Sequence, residues 1–208
     1  TSKPTALFSN TQIENPNLML EGMPNYRSGV DGLRVSNSTK GGITFAASTT
    51  QNGIHMITVV LGVEAVDGDP YARFVATSSL MNYVVRTFVS SIVVKEGDPY
   101  GKSKATIMDG KSETVLAVAK KDFYIVEKQG SQAEPKIQFK SDQESFRAPV
   151  KSGTSLGKLH YTDPDKIGRG YLEDQEPTVD MVAGRTIEKS FFLKVWWNEF
   201  VRYVNEKL

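Results

Sequence analysis

Ser155 and Lys158, in the order Ser-Leu-Gly-Lys, and the neighbouring Lys151-Ser152-Gly153 are the residue types that acyl transfer uses. Such chemistry needs a hydroxyl nucleophile, an amine to take its proton and a cation to hold a carboxylate. A serine–lysine couple of this spacing works when the serine opens a helix and the lysine follows one turn later on the same face. Here the surrounding Gly-Thr-Ser-Leu-Gly-Lys-Leu-His-Tyr of residues 153–161 contains two glycines and reads as a turn entering a strand. The two stretches also overlap, so one extended segment would have to supply both the nucleophile and the opposite wall of one pocket. No catalytic residue is assigned to them.

Other chemistry-bearing residues are sparse. The sequence has no cysteine, which removes thiol nucleophiles, disulfides and cysteine-based metal sites and fits an exported bacterial protein. His55 and His160 stand in strand-like contexts without carboxylates at ligand spacing, so no metal, cofactor or His-dependent triad is expected. Asp31, between Gly29 and Gly32, reads as turn chemistry and not as a catalytic acid.

Charge and hydropathy set further bounds. With 25 basic and 24 acidic residues the formal net charge is +1, which gives no broad field to attract nucleic acid or an acidic polymer, and no nucleic-acid partner is expected. Lys102, Lys104 and the Lys120-Lys121-Asp122 run read as solvated faces. No uncharged apolar run reaches the roughly 18 residues that span a bilayer. The sequence opens at Thr1 without a charged and then apolar leader, so any secretion signal is expected to be removed or to belong to a longer precursor.

The elements that must position any site fall into three regions. Residues 1–92 carry mixed α/β signals. Leu33 to Ser38 and the alternating Gly42 to Thr49 suggest strands, and Asn52-Gly53 supplies a two-residue hairpin turn. The nearly continuous apolar run Met56 to Leu61 predicts a strand covered on both faces. Asp69-Pro70 then marks a helix start. Tyr71, Phe74, Val75, Met81, Val84, Val85 and Phe88 fall on one stripe of a helix from Pro70 to about Val89. From residue 93 to 186 short alternating segments recur at Lys104 to Met108, Thr114 to Ala119, Phe123 to Glu127, Ile137 to Lys140, Lys158 to Tyr161, Gly168 to Leu172 and Thr178 to Val182, which suits a small β-sandwich. Residues 187–208 form an amphipathic helix. Phe192, Leu193, Trp196, Trp197, Phe200 and Val204 share one arc, and Lys194, Glu199, Arg202 and Glu206 crowd the other. Two readings of that helix stand side by side: adsorption to a membrane surface, or packing of its Trp pair against the sandwich.

In order along the chain, IENPNLMLEGMPNYRSGVDGL, ITVVLG, PYARFVATSSLMNYV, FRAPVKSGTSLGKL and IEKSFFLKVWWNEFVRYVNEKL resemble the C-terminal portion of a low-molecular-mass penicillin-binding protein, a serine D-alanyl-D-alanine carboxypeptidase of the streptococcal type. The resemblance implies an α+β multidomain chain. Its parts are a partial α/β penicillin-binding (β-lactamase-like) domain, a β-sandwich spacer and a C-terminal amphipathic helix at the outer face of a bacterial membrane. It also implies three site motifs, of which Ser-x-x-Lys and Ser-x-Asn would lie upstream of these residues. Where the third, Lys-Thr-Gly, is expected, Arg34, Val35 and Ser36 stand instead, followed by Asn37, whose backbone N–H matches an oxyanion-hole donor.

Each departure has a physical consequence. Arg34 keeps a positive charge, but its planar fork is not equivalent to an ammonium. Val35 has no hydroxyl for a ligand carboxylate, and a charged partner left unsatisfied costs about 1 to 3 kcal/mol. Ser36 adds a side chain where glycine lets the strand approach a ligand. Removing a nucleophile of this kind costs about a million-fold in rate. The expectation is therefore a chain inactive alone. Its expected partners are a membrane surface, a peptidoglycan stem peptide and a polypeptide completing the catalytic domain. The alternative is a non-catalytic surface module derived from that family.

Overall fold

The computed structural model describes the chain except for residues 1–2, 9–10, 39–41, 65–68, 70, 172, 174, 192–194, 198–199, 202 and 205–208. The described residues are mostly β, and they divide into two compact units: residues 1–90 with 126–130, and residues 91–125 with 131–208.

In the first unit β1 (Thr5–Phe8) and β2 (Thr11–Glu14) form an antiparallel hairpin. The strands β3 (Val30–Ser38), β4 (Gly42–Gln51) and β5 (Ile54–Val63) form an antiparallel sheet in that order. Asn52 and Gly53 join β4 to β5 with φ of 52° and 75°, the left-handed pair that a tight hairpin requires. Helix α1 (Ala72–Thr87) packs on β4 and β5. Phe45 meets Phe74 edge-to-face with ring centroids 5.0 Å apart, and Ala47, Met56, Val60 and Met81 complete the core around them.

Two expectations change here. The helix spans Ala72–Thr87, just after Tyr71, whose N–H donates to Asp69 Oδ1 at 2.8 Å, and the expected first position, Pro70, lies outside the described residues. Val75 and Tyr71 fall on its exposed side. More consequentially, β5 is covered on one face only. Ile54, Met56, Thr58 and Val60 point into the core, while Ile57, Val59 and Leu61 are exposed, Leu61 at 75%. Helix α1 occupies one side of the sheet, and the β5 side chains on the other remain largely exposed.

The chain leaves α1 directly into β6 (Phe88–Val94), which pairs with β9 (Phe123–Lys128). In the second unit β7 (Pro99–Met108), β8 (Thr114–Ala119), β10 (Lys136–Ser141), β11 (Phe146–Arg147), β12 (Ser155–Thr162) and β13 (Thr178–Ala183) form a six-stranded sheet in the order β10-β12-β13-β8-β7-β11. Strict alternation sends Val115, Ala117, Leu159, Val179 and Met181 inward, where Val94, Phe123 and Ile125 meet them. The expected strand at Gly168 to Leu172 is absent. Gly168 and Gly170 adopt φ of 58° and 86°, the Gly170 N–H closes a turn on the Ile167 carbonyl at 2.9 Å, and Leu172 lies outside the described residues. The strands β1, β2 and β6 had no clear signal in the sequence.

Candidate functional site

The third strand places the altered motif at the edge of the sheet. Arg34 lies opposite Ala46, Val35 opposite Phe45, Ser36 opposite Thr44 and Asn37 opposite Ile43. Pairing with Phe45 directs Val35 toward the helix-covered side, where it packs on the core, and Arg34 is exposed. Leu33, Arg34 and Val35 line a cavity of about 360 Å³ whose other wall comes from Lys3 and residues 13–16. Lys3, Glu14 and Arg34 are its charged members, and none of its lining residues carries a hydroxyl. Such a cavity can pair a carboxylate with a guanidinium but has no group to acylate.

Ser36 and Asn37 are held in a different way. Arg73 of α1, only 5% exposed, donates from Nη1 to the Ser36 and Thr44 carbonyls at 3.2 Å each, and from Nη2 to Asn37 Oδ1. Thr44 Oγ1 donates to the same Ser36 carbonyl at 3.2 Å. Burial pushes the guanidinium pKa below its ordinary value, and its Nε has no hydrogen-bond partner. Sequence reasoning missed Arg73. The available signal was its spacing of four from Thr77 and eight from Met81, both buried, which puts a charge on the core stripe of the helix.

Other singled-out residues are brought to structural positions. Ser155 Oγ donates to Asp142 Oδ2 at 3.3 Å, and Ser152 Oγ donates to the Ala183 carbonyl at 3.3 Å; neither couples to a lysine. Gly157 explains the glycine in that stretch. It sits at a strand irregularity with φ of 148°, where an added Cβ would come within 2.1 Å of the Lys140 carbonyl oxygen. Asp31 lies within β3 and not in a turn, at an irregularity between Val30 and Gly32, and its carboxylate accepts the Ser48 hydroxyl. His55 is exposed on β5 and His160 half-buried on β12. Among the described residues no three His, Asp or Glu side chains gather as metal ligands.

At the C-terminus residues 195–197, 200–201 and 203–204 are helical. Trp196 and Trp197 are 62% and 59% exposed, and both rings lie against Phe200, at centroid distances of 6.1 and 6.0 Å. Val204 is half-buried, and Phe192 and Leu193 lie outside the described residues. Among the described residues no helix is long and apolar enough to cross a membrane.

Residues 88–189 match the family described as penicillin-binding protein 5, C-terminal domain. A D-alanyl-D-alanine carboxypeptidase DacA from Haemophilus influenzae is 26% identical over 133 residues, which cover 64% of this chain and 32% of that protein. The D-alanyl-D-alanine carboxypeptidase DacD of Salmonella typhimurium is 21% identical over 138 residues, 66% of this chain and 34% of that one. The crystal structure of a peptidoglycan synthesis regulatory factor (PBP3) from Streptococcus pneumoniae superposes with a TM-score of 0.84 at 44% identity, covering 90% of this chain and 51% of the other. Penicillin-binding protein 5 from Haemophilus influenzae shares the fold, with a TM-score of 0.59 at 22% identity and coverage of 90% and 50%. The chain thus spans about a third of the curated relatives and about half of these solved structures.

Proposed function

Because the chain belongs with the low-molecular-mass penicillin-binding proteins of the D-alanyl-D-alanine carboxypeptidase family and represents their C-terminal portion, we propose that these 208 residues supply the carboxylate-facing strand, spacer and membrane contact of such a protein, and form no acyl-enzyme alone. The observation that carries this reading is the cavity beside Leu33, Arg34 and Val35, which offers a guanidinium but no nucleophile. In this reading Arg34 receives the terminal carboxylate of a peptidoglycan stem peptide, Val35 packs on the core, and Ser36 and Asn37 form the strand segment that Arg73 fixes.

The remaining parts take supporting roles. Two multidomain features, the sheet unit of residues 1–92 and the β spacer of residues 93–186, precede a helix that adsorbs to the outer face of a bacterial membrane. Exposed Trp196, Trp197 and Phe200 support adsorption over packing of the helix on the protein, since a packed helix would hide them. A polypeptide completing the catalytic domain has an apolar surface to meet in Ile57, Val59 and Leu61, on a strand that is the sheet's edge among the described residues. No cofactor takes part.

A fluorescent β-lactam tests the catalytic part. The isolated chain should remain unlabelled, and co-expression with the preceding half of a 44%-identical streptococcal relative should restore labelling only if the altered strand is still competent. A second reading, a non-catalytic cell-surface module, draws on the same missing hydroxyl at Val35. It is favoured if labelling stays absent in the co-expressed pair while the pair co-purifies.

A further inference from the structure

Val30 and Val35 of β3 both pack on the helix-covered core, yet they stand five residues apart, and a regular strand returns to the same face only after an even number of residues. Their partners on β4, Thr49 and Phe45, are four apart. One extra residue has to be absorbed between the two valines. The register shifts between Val30 and Gly32, which makes Asp31 the inserted residue. Core packing fixes both ends of this stretch without fixing where the insertion sits, because each valine keeps its place with the extra residue at any position from 31 to 34. The place of the insertion decides what Arg34 does. With Asp31 inserted, Arg34 enters regular pairing opposite Ala46 and is exposed. With Arg34 itself inserted, Leu33 would stand opposite Ala46 and the guanidinium would hang from an unpaired residue.

A side-chain contact holds the insertion at Asp31. Ser48, buried on β4 opposite Gly32, donates its hydroxyl to the Asp31 carboxylate. A buried hydroxyl needs a partner, and with the insertion elsewhere this one would lose the acceptor that now reaches it. The backbone does not favour the arrangement unaided. Gly32 has φ of 131° and Leu33 φ of 152°, a region that residues with a side chain rarely adopt, so Leu33 carries strain that a neighbouring contact must sustain. Leu33 and Arg34 both line the cavity described above, which places the strained backbone and its fastening directly beside the guanidinium.

We propose, resting on the reading of Arg34 as the receiver of a carboxylate, that Asp31 is a positioning residue for that site: by holding the Ser48 hydroxyl it keeps the inserted residue ahead of Gly32 and sets Arg34 opposite Ala46, at the cavity. Two measurements on the full chain test this, and the first needs no ligand. The chain has no cysteine, so R34C/A46C introduces a single thiol pair, which should close to a disulfide in a glutathione buffer when positions 34 and 46 face each other. Adding D31A or S48A should lower the disulfide yield. D31N, whose side-chain oxygen still accepts the Ser48 hydroxyl, should restore it. I54V trims the same core away from the insertion and should leave the yield unchanged. The second measurement is an NMR titration with N-acetyl-D-alanyl-D-alanine, followed at the Arg34 Nε–H resonance. D31A and S48A should each weaken binding about ten-fold, with D31N and I54V close to wild type. Undiminished disulfide yield in both D31A and S48A would overturn the proposal. So would losses in I54V equal to those in D31A, since general destabilisation would then account for both. A wild-type chain whose Arg34 resonance ignores the dipeptide would overturn the carboxylate reading and not the placement of Arg34, which the disulfide yields decide.

Discussion

Arg73 carries three polar obligations, since two carbonyls and the Asn37 amide oxygen depend on it. Hydrogen bonds from a charged donor are worth about 1.5 to 3 kcal/mol each before compensation, and the Ser36 carbonyl keeps its Thr44 donor, so Arg73→Ala should lose roughly 2 to 4 kcal/mol in urea unfolding. Wild-type stability in that variant would show that Asn37 and β3 do not need the contact. Gly157→Ala is a backbone counterpart. A Cβ there meets the Lys140 carbonyl at 2.1 Å with φ of 148°, so the expected loss is about 2 kcal/mol or more, seen as a lowered melting temperature. His160 supplies a pH signature. Burial and the two lysines lower its folded pKa, so the folded state resists protonation relative to the unfolded chain. Its contribution is therefore whole above the unfolded value of about 6.5, and stability falls as pH drops through that value. His160→Gln should flatten the stability profile between about pH 7 and 5 relative to wild type.

At the scale of elements, the C-terminal helix and β5 each present apolar side chains that are exposed among the described residues. Burying a large apolar side chain contributes about 1.5 to 3 kcal/mol, so adsorption of several rings at a bilayer interface yields several kcal/mol before ordering costs. W196A/W197A should therefore abolish co-sedimentation with anionic liposomes while shifting the melting temperature little, because both rings are exposed in the folded chain. Retained sedimentation together with a large drop in melting temperature would mean that the helix packs on the protein. The β5 strand bears on the completion of the sheet. Replacing Ile57, Val59 and Leu61 with Thr should change the stability of the isolated chain little, since all three are more than half exposed, yet weaken co-purification with the preceding half of a streptococcal relative.

For the whole molecule, legibility in the sequence followed how directly a pattern reports its surroundings. Alternation between Gly42 and Thr49 and the Asn52-Gly53 pair specified a hairpin because both are local requirements of backbone geometry. The run Met56 to Leu61 was less informative, since an apolar strand reads alike whether one face or two are covered. Gly168 and Gly170 defeated a strand assignment that depended on spacing alone. At the candidate site, the missing hydroxyl at Val35 was visible in the residue type. Neither the cavity beside it nor the Arg73 cage was visible, because both arise from contacts between residues far apart in the chain. The pairing of Lys140 with Lys158 was hidden for the same reason, as strand order and not sequence neighbourhood brings them together. Catalytic silence of the isolated chain is the central claim, and intact-mass spectrometry after prolonged incubation with benzylpenicillin tests it most directly. The expected result is an unshifted mass. A species heavier by one covalently attached penicillin, mapped to any serine of the 208 residues, would contradict it.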